Sequence, residues 1–254
     1  MWWKEKCIAC RDCENACTKG AICFSDDFLL LNKTKCDLCG ACVDACHSEA
    51  LKLVGKQMTV AQVLAQIEKD ISFYDESGGG VTLCVGEPLM QPDFSNHVLK
   101  ACRKLRIHTA VDTCGYVSSE VLLKLSEHVD LFLYDLKVID DEKHTKFAGV
   151  SNKLILENVK RLSQHGQKIL VRFPLVPGVN DDEKDVLQLG EFVSSLEGVK
   201  ELGILPYHKA GVAKSQRLGK PADLSFMNHP PSAERLSEIE ERLKGFGLKI
   251  QIGG

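Results

Sequence analysis

Ser77-Gly-Gly-Gly-Val-Thr-Leu-Cys-Val-Gly-Glu-Pro88 reads as a glycine turn, a strand, and a second turn that closes on a carboxylate. Alone it is no more than a strand end; its neighbours give it meaning. Asp112-Thr113-Cys114-Gly115 and Asp135-Leu136-Lys137 also follow apolar runs, so three successive strands end in polar groups. In a parallel α/β barrel the C-terminal strand ends are where active sites lie. There Gly86 permits close backbone approach and Glu87 offers a carboxylate to a ligand amine. Helix capping accounts for acids and hydroxyls, but not for a lysine directed inward. Arg172 and His208 stand near the ends of two later strands, where either alone reads as a surface charge or a satisfied histidine.

Working outward, apolar runs near 81–85, 107–112, 130–135, 168–173, 200–205 and 248–252 alternate with helical patterns near 93–105, 118–127, 152–165, 182–196 and 232–244. Strands separated by helices of that length build parallel βα units. Thr59 is a natural N-cap for an amphipathic helix that buries Val60, Val63, Leu64, Ile67 and Ile71. A boundary is expected near residue 55, giving a cysteine-rich domain over 1–55 and an α/β domain over 56–254. The connection from Lys209 to Pro231 is long for a structureless loop, and reads either as a flexible surface segment or as a partner-facing one.

The first part repeats itself. Cys7-Ile-Ala-Cys10-Arg-Asp-Cys13-Glu-Asn-Ala-Cys17 is matched by Cys36-Asp-Leu-Cys39-Gly-Ala-Cys42-Val-Asp-Ala-Cys46. Ala21-Ile22-Cys23 and Ala50-Leu51-Lys52-Leu53 follow the two copies, and are expected to pair as small strands. The spacing C-x2-C-x2-C-x3-C wraps three thiolates around one iron–sulfur cube and sends the fourth to the other cube. One [4Fe–4S] cluster is therefore assigned to Cys7, Cys10, Cys13 and Cys46, and a second to Cys36, Cys39, Cys42 and Cys17. Ala9, Gly40 and Ala41 let backbone N–H groups approach the sulfides, while Thr18 and His47 stand where a proline is usual. Zinc is the alternative, but it favours two well-separated cysteine pairs. Cys23 is left over and reads as a small buried apolar residue.

Of 254 residues twelve are cysteines, nine of them between Cys7 and Cys46, a density that in a reduced compartment speaks for metal rather than disulfides. A net charge of −3 provides no broad basic field for nucleic acid or an anionic membrane. The start, Met1-Trp2-Trp3-Lys4-Glu5-Lys6, lacks the apolar centre of a secretory signal, and no run has the length of a membrane span. A cytoplasmic monomer is expected.

Taken in order, Ser77–Pro88, His108–Tyr116, Tyr134–Lys137, Ile155–Asn158, Val171–Asn180 and Leu205-Pro-Tyr-His208 resemble the glycyl-radical-enzyme activating enzymes of the radical S-adenosylmethionine (SAM) superfamily, in the form that carries a two-cluster ferredoxin insert. The likeness runs through essentially the whole chain. It implies a partial (β/α) radical-SAM-type barrel behind a ferredoxin-like 2[4Fe–4S] domain. It also implies reductive cleavage of SAM to a 5′-deoxyadenosyl radical, hydrogen abstraction from a glycine of a partner enzyme, and a flavodoxin or ferredoxin-type reductant. By the same resemblance Gly86 and Glu87 contact the methionine part of SAM, with Val85 where the family has another glycine. Asp112, Thr113 and Asp135 hold a monovalent cation, and Lys137, Arg172 and His208 line the pocket for SAM and the glycine loop.

One family feature is missing. The C-x3-C-x2-C trio that leaves an iron open to SAM does not occur: after Cys13 and Cys17 position 20 is Gly, and after Cys42 and Cys46 position 49 is Glu. In the family the trio precedes the insert, so it and the first strand are expected upstream of Met1. A late start codon, a shortened chain and a loss of catalysis are the competing explanations. Rival functions are an electron-transfer protein with a degenerate barrel and a radical SAM enzyme acting on a small molecule. Two clusters predict about eight irons and eight sulfides per chain after anaerobic purification. A colourless, iron-free protein in an iron and sulfide assay would overturn the assignment.

Overall fold

The computed structural model describes residues 1–25, 28–84, 86–207, 217–218 and 230–253. Contacts divide the chain into two compact units, Met1–Gln57 with the described residues of His208–Asn228, and Met58–Tyr207 with those of His229–Gly254.

In the first unit two four-residue helices, α1 (Asp12–Asn15) and α2 (Ala41–Asp44), carry the cysteine runs. A hairpin of β1 (Ile22–Ser25) and β2 (Phe28–Leu31) lies between them in sequence. The expected pairing of the two post-repeat segments does not form. Ile22 pairs with Leu31 across the hairpin, and Leu51 makes an isolated antiparallel bridge to Trp2. A strand adjacent in sequence closes a far shorter loop than one nearly thirty residues on. Cys23 is also not buried: it faces solvent opposite Leu30, because Ile22 takes the inward position of the pleat.

The second unit begins with α3 (Val60–Ile67), held by a reciprocal capping box in which Thr59 and Gln62 satisfy each other's backbone N–H. After a single 3-10 turn over Glu68–Asp70 the chain resumes as α4 (Ile71–Ser77), ended by left-handed Gly78. The apolar stripe of α3 packs on Val98 and Cys102 of α5 (Pro92–Lys104) and on Ile107. Six parallel strands follow: β3 (Gly80–Leu83), β4 (His108–Thr113), β5 (Leu131–Asp135), β6 (Ile169–Leu175), β7 (Glu201–Pro206) and β8 (Lys249–Ile252). Their order in the sheet is their order in the chain. Every crossover therefore steps in one direction, and with right-handed crossovers the helices gather on a single side.

The connecting helices are α6 (Ser119–Ser126), α7 (Asp141–Ala148), α8 (Lys153–Gln164), α9 (Glu183–Ser194) and α10 (Ala233–Lys244). α7 is the one that hydrophobic periodicity does not announce. Asp-Glu-Lys-His-Thr-Lys-Phe-Ala has little apolar stripe, and its ends are set by Asp140, which accepts from Lys143 N at 3.0 Å, and by left-handed Gly149. Burial alternates along β5 and β6: Phe132, Tyr134, Val171 and Phe173 are sealed in the core, while Leu133, Asp135, Leu170 and Arg172 on the other side are half-buried. Phe132 has no exposed surface. Phe132→Ala is therefore expected to cost about 3–5 kcal/mol in a denaturant titration followed by circular dichroism.

Candidate functional site

Two constellations stand out, one in each unit. In the first, the sequence duplication is repeated in the backbone. Ala9 and Leu38 are left-handed at φ 55° and 60°, Arg11 and Gly40 at 63° and 86°, and Gly20 and Glu49 at 56° and 51°. Four of these six residues carry side chains, and each such placement costs on the order of 1–3 kcal/mol unless its surroundings enforce it. Arg11 and Gly40 each open a short helix as its N-cap.

Cys7, Cys10, Cys13 and Cys46 line one concavity, walled by Trp2, Phe24, Leu29 and Leu51. Burial, and then the nearby thiols of Cys46 and Cys10, push Cys13 up to about 11. Burial likewise raises Cys42, whose thiol neighbours are Cys17, Cys36 and Cys39. The fourth cysteine of each run therefore sits with the other run. Both fourth cysteines receive N–H donors. The amide of Ala21, 3.3 Å from the sulfur, leads in lowering Cys17. Burial would raise Cys46, but the Ser48 hydroxyl and the amides of Leu51, Ala50 and Ser48 bring it below the usual thiol value. Among the described residues, no three Cys, His, Asp or Glu side chains are gathered closely enough to grip a single ion.

In the second unit the half-buried side of the sheet carries its charges at the strand ends. Arg172 on β6 donates from Nε to Asp135 Oδ1 at 2.9 Å, and from Nη2 to Asp112 on β4. One guanidinium so joins three adjacent strands. Asp135 lies above the ordinary carboxylate range because it is buried, with Arg172 and Lys137 opposing the rise and Asp112 adding to it. Lys137, two residues beyond Asp135, is exposed.

Glu87 knits β3 to β4. Its Oε1 accepts from Thr113 Oγ1 at 2.7 Å and from Leu89 N at 3.2 Å; its Oε2 accepts from Cys114 N at 2.9 Å and the Cys114 thiol at 3.1 Å. Burial, and then that bond to Glu87, raise Cys114 and keep it protonated. Cys114 is the site residue that sequence reasoning missed; its only signal is its place directly after Thr113. Gly86 is left-handed at φ 75°, which lets the chain reverse between β3 and Glu87. At Gly115, φ 70°, a Cβ would fall 1.8 Å from the Tyr134 hydroxyl, so only glycine fits. Thr113 is spent on Glu87 and Gly115 N rather than turned to the aspartates, and Arg172 provides the positive charge between Asp112 and Asp135. Val85, His208 and most of the Lys209–Pro231 connection lie outside the described residues.

The pattern of the Radical SAM superfamily matches residues 35–190. The chain is 41% identical over 257 residues to the trans-4-hydroxy-L-proline dehydratase activating enzyme of Clostridioides difficile, covering 100% of this chain and 84% of that one. It is 42% identical over 258 residues to the choline trimethylamine-lyase activating enzyme of Oleidesulfovibrio alaskensis, covering 99% and 83%. Among solved structures, a domain of the pyruvate-formate lyase-activating enzyme from Bacteroides vulgatus superposes with a TM-score of 0.59 at 36% identity, over 69% of this chain and 99% of that one.

Asp135 takes up its proton more readily folded than unfolded, so its contribution to stability declines as pH rises above the ordinary carboxylate value. Arg172→Ala removes the group that opposes this. A loss of about 2–3 kcal/mol is expected at neutral pH, less than for a fully buried pair because the three side chains keep 17–29 % of their surface. In urea unfolding the deficit is expected to shrink as the pH is lowered, since Asp135 needs its partner less as it takes up its proton.

Proposed function

Because the chain belongs to the radical SAM superfamily and, within it, to the activating enzymes of glycyl radical enzymes, we propose that it activates one such enzyme through the strand-end groups of β3 to β6. The observation that carries this reading is the joining of Asp112, Asp135 and Arg172 across three adjacent strands beside the Glu87 turn. SAM held on a [4Fe–4S] cluster by a cysteine trio would, on receiving one electron, supply methionine and a 5′-deoxyadenosyl radical that would take a hydrogen atom from a glycine of the partner and leave as 5′-deoxyadenosine.

The chain's own residues bind and orient. Gly86 leaves room for the methionine part of SAM, and Glu87, held by four donors, keeps its carboxylate fixed toward the amine. Lys137 and Arg172, with His208, line the pocket for the SAM carboxylate and the glycine loop. A monovalent cation beside Asp112, Thr113 and Asp135 requires the guanidinium of Arg172 to turn away and the Thr113 hydroxyl to leave Glu87, so cation and arginine alternate as the counter-charge. Residues 1–55 form a ferredoxin-like domain. Cys7, Cys10, Cys13 and Cys46 would hold one [4Fe–4S] cluster and Cys36, Cys39, Cys42 and Cys17 the other, and such clusters would supply a path for electrons from a flavodoxin or ferredoxin-type protein. The strained left-handed residues and the crossed thiol neighbours support that assignment, since they shape each loop around a body larger than one ion. The proposed setting is the cytoplasm, with the enzyme a monomer. Among the described residues no helix is long and apolar enough to cross a membrane.

These 254 residues contain no Cys-x3-Cys-x2-Cys. A polypeptide of this length, reconstituted and reduced, is therefore expected to release no 5′-deoxyadenosine by chromatography. With such a trio present in the same chain, it is expected to release 5′-deoxyadenosine and to raise a glycyl radical signal in the electron paramagnetic resonance spectrum of a co-encoded partner. A silent spectrum with an intact trio would sink the activase reading.

A further inference from the structure

Asn180 closes the stretch Val171–Asn180, and the site as described leaves it without a task. Its side chain is 2 % exposed, too deep to touch a ligand. The Nδ2 group donates to Lys137 O at 2.7 Å and to Pro174 O at 2.8 Å, and Oδ1 accepts from Val176 N at 2.7 Å. One amide thus pins the end of β5, the end of β6 and the loop that follows.

The reason lies in the ladder. β5 and β6 pair as far as Asp135 opposite Arg172, and Leu136 N still donates to Arg172 O at 2.9 Å. The next rung would bring the N–H of residue 174 to Leu136 O, and proline has none. Lys137 is therefore the first residue beyond the sheet, and Asn180 takes hold of its carbonyl just past the point where the ladder stops. Asn158 does the same work one loop away, donating to Gly115 O at 2.8 Å and Val117 O at 2.7 Å.

We infer that Asn180 is a positioning residue for Lys137: by capturing its carbonyl where the ladder fails, the buried amide sets where the exposed ammonium stands relative to Arg172. The inference rests on the reading of Lys137 as a residue of the SAM pocket.

The test is a double-mutant cycle in the iron-loaded chain carrying a Cys-x3-Cys-x2-Cys trio, measuring KM for SAM, kcat for 5′-deoxyadenosine and the thermal midpoint. Asn180→Ala is expected to raise KM about tenfold, the scale of a small misplacement. In a Lys137→Met background the same change is expected to leave KM within about twofold of Lys137→Met alone, while lowering the thermal midpoint as much as before. Asn180→Asp keeps the Val176 contact but loses both donors, so it should follow alanine; Asn180→Ser, with one donor, should fall between. In the 254-residue chain, the acetylation rate of Lys137 by mass spectrometry should shift in Asn180→Ala while that of Lys124 stays unchanged. KM effects that add across the cycle, a wild-type KM in Asn180→Asp, or an unshifted acetylation rate would each overturn the inference and leave the activase reading intact. An unchanged KM in Lys137→Met alone would overturn both.

Discussion

The constraint on which the second unit depends is that one side of its sheet must be sealed. Six parallel strands in chain order place their crossovers on one side, where Phe132, Tyr134, Val171 and Phe173 meet the helices with almost no exposed surface. The strand side chains that face the helices there carry no charge. Charge is left with two locations, the opposite side and the strand ends, and that is where Asp112, Asp135, Arg172 and Glu87 are found. Even so, two carboxylates on neighbouring strands repel, and Arg172 between them is what makes the arrangement stable. The interaction that steadies the sheet ends is thus built from the groups proposed to meet the cofactor.

The strands were legible because each is a short apolar run bounded by turn residues, and the sheet follows from their alternation with helices. The helix α7 was not, since Asp140 and Gly149 define it while Asp141–Ala148 lacks a stripe. Nor was the break at Glu68–Asp70, which interrupts an otherwise regular pattern between Ile67 and Ile71. At the site, the residue types Gly86, Glu87, Asp112, Asp135, Lys137 and Arg172 were visible in the sequence, but their partners were not. That Thr113 turns to Glu87 while Arg172 takes both aspartates depends on which neighbour comes closest in space, and spacing along the chain carries no such information. The pairing of β1 with β2 and the exposure of Cys23 were misjudged for a related reason. Similarity between the two repeats pointed to symmetric strands, whereas the hairpin within one repeat closes at lower entropic cost.

The two cysteine runs show how a duplicated sequence can impose equivalent backbone on unequal residues. Gly40 adopts its left-handed turn freely, while Arg11 at the matching place carries a side chain through the same conformation. Glu49 stands likewise against Gly20. The same conformation is adopted with and without the favourable residue, so the local sequence alone does not dictate the path of the loop. The crossing of the fourth cysteines places Cys46 beside Cys13 of the first run and Cys17 beside Cys42 of the second.

The close approach of Gly115 to Tyr134 couples positions that lie far apart in the chain. A larger residue at 115 displaces the phenol, and the phenol is what holds the Ile155 carbonyl in the first turn of α8. Exchange at either position alone therefore disturbs a helix neither belongs to. Sequence drift here must proceed in concert: room for a methyl at the loop can arise only after the ring beneath it has shrunk and the helix has found another donor.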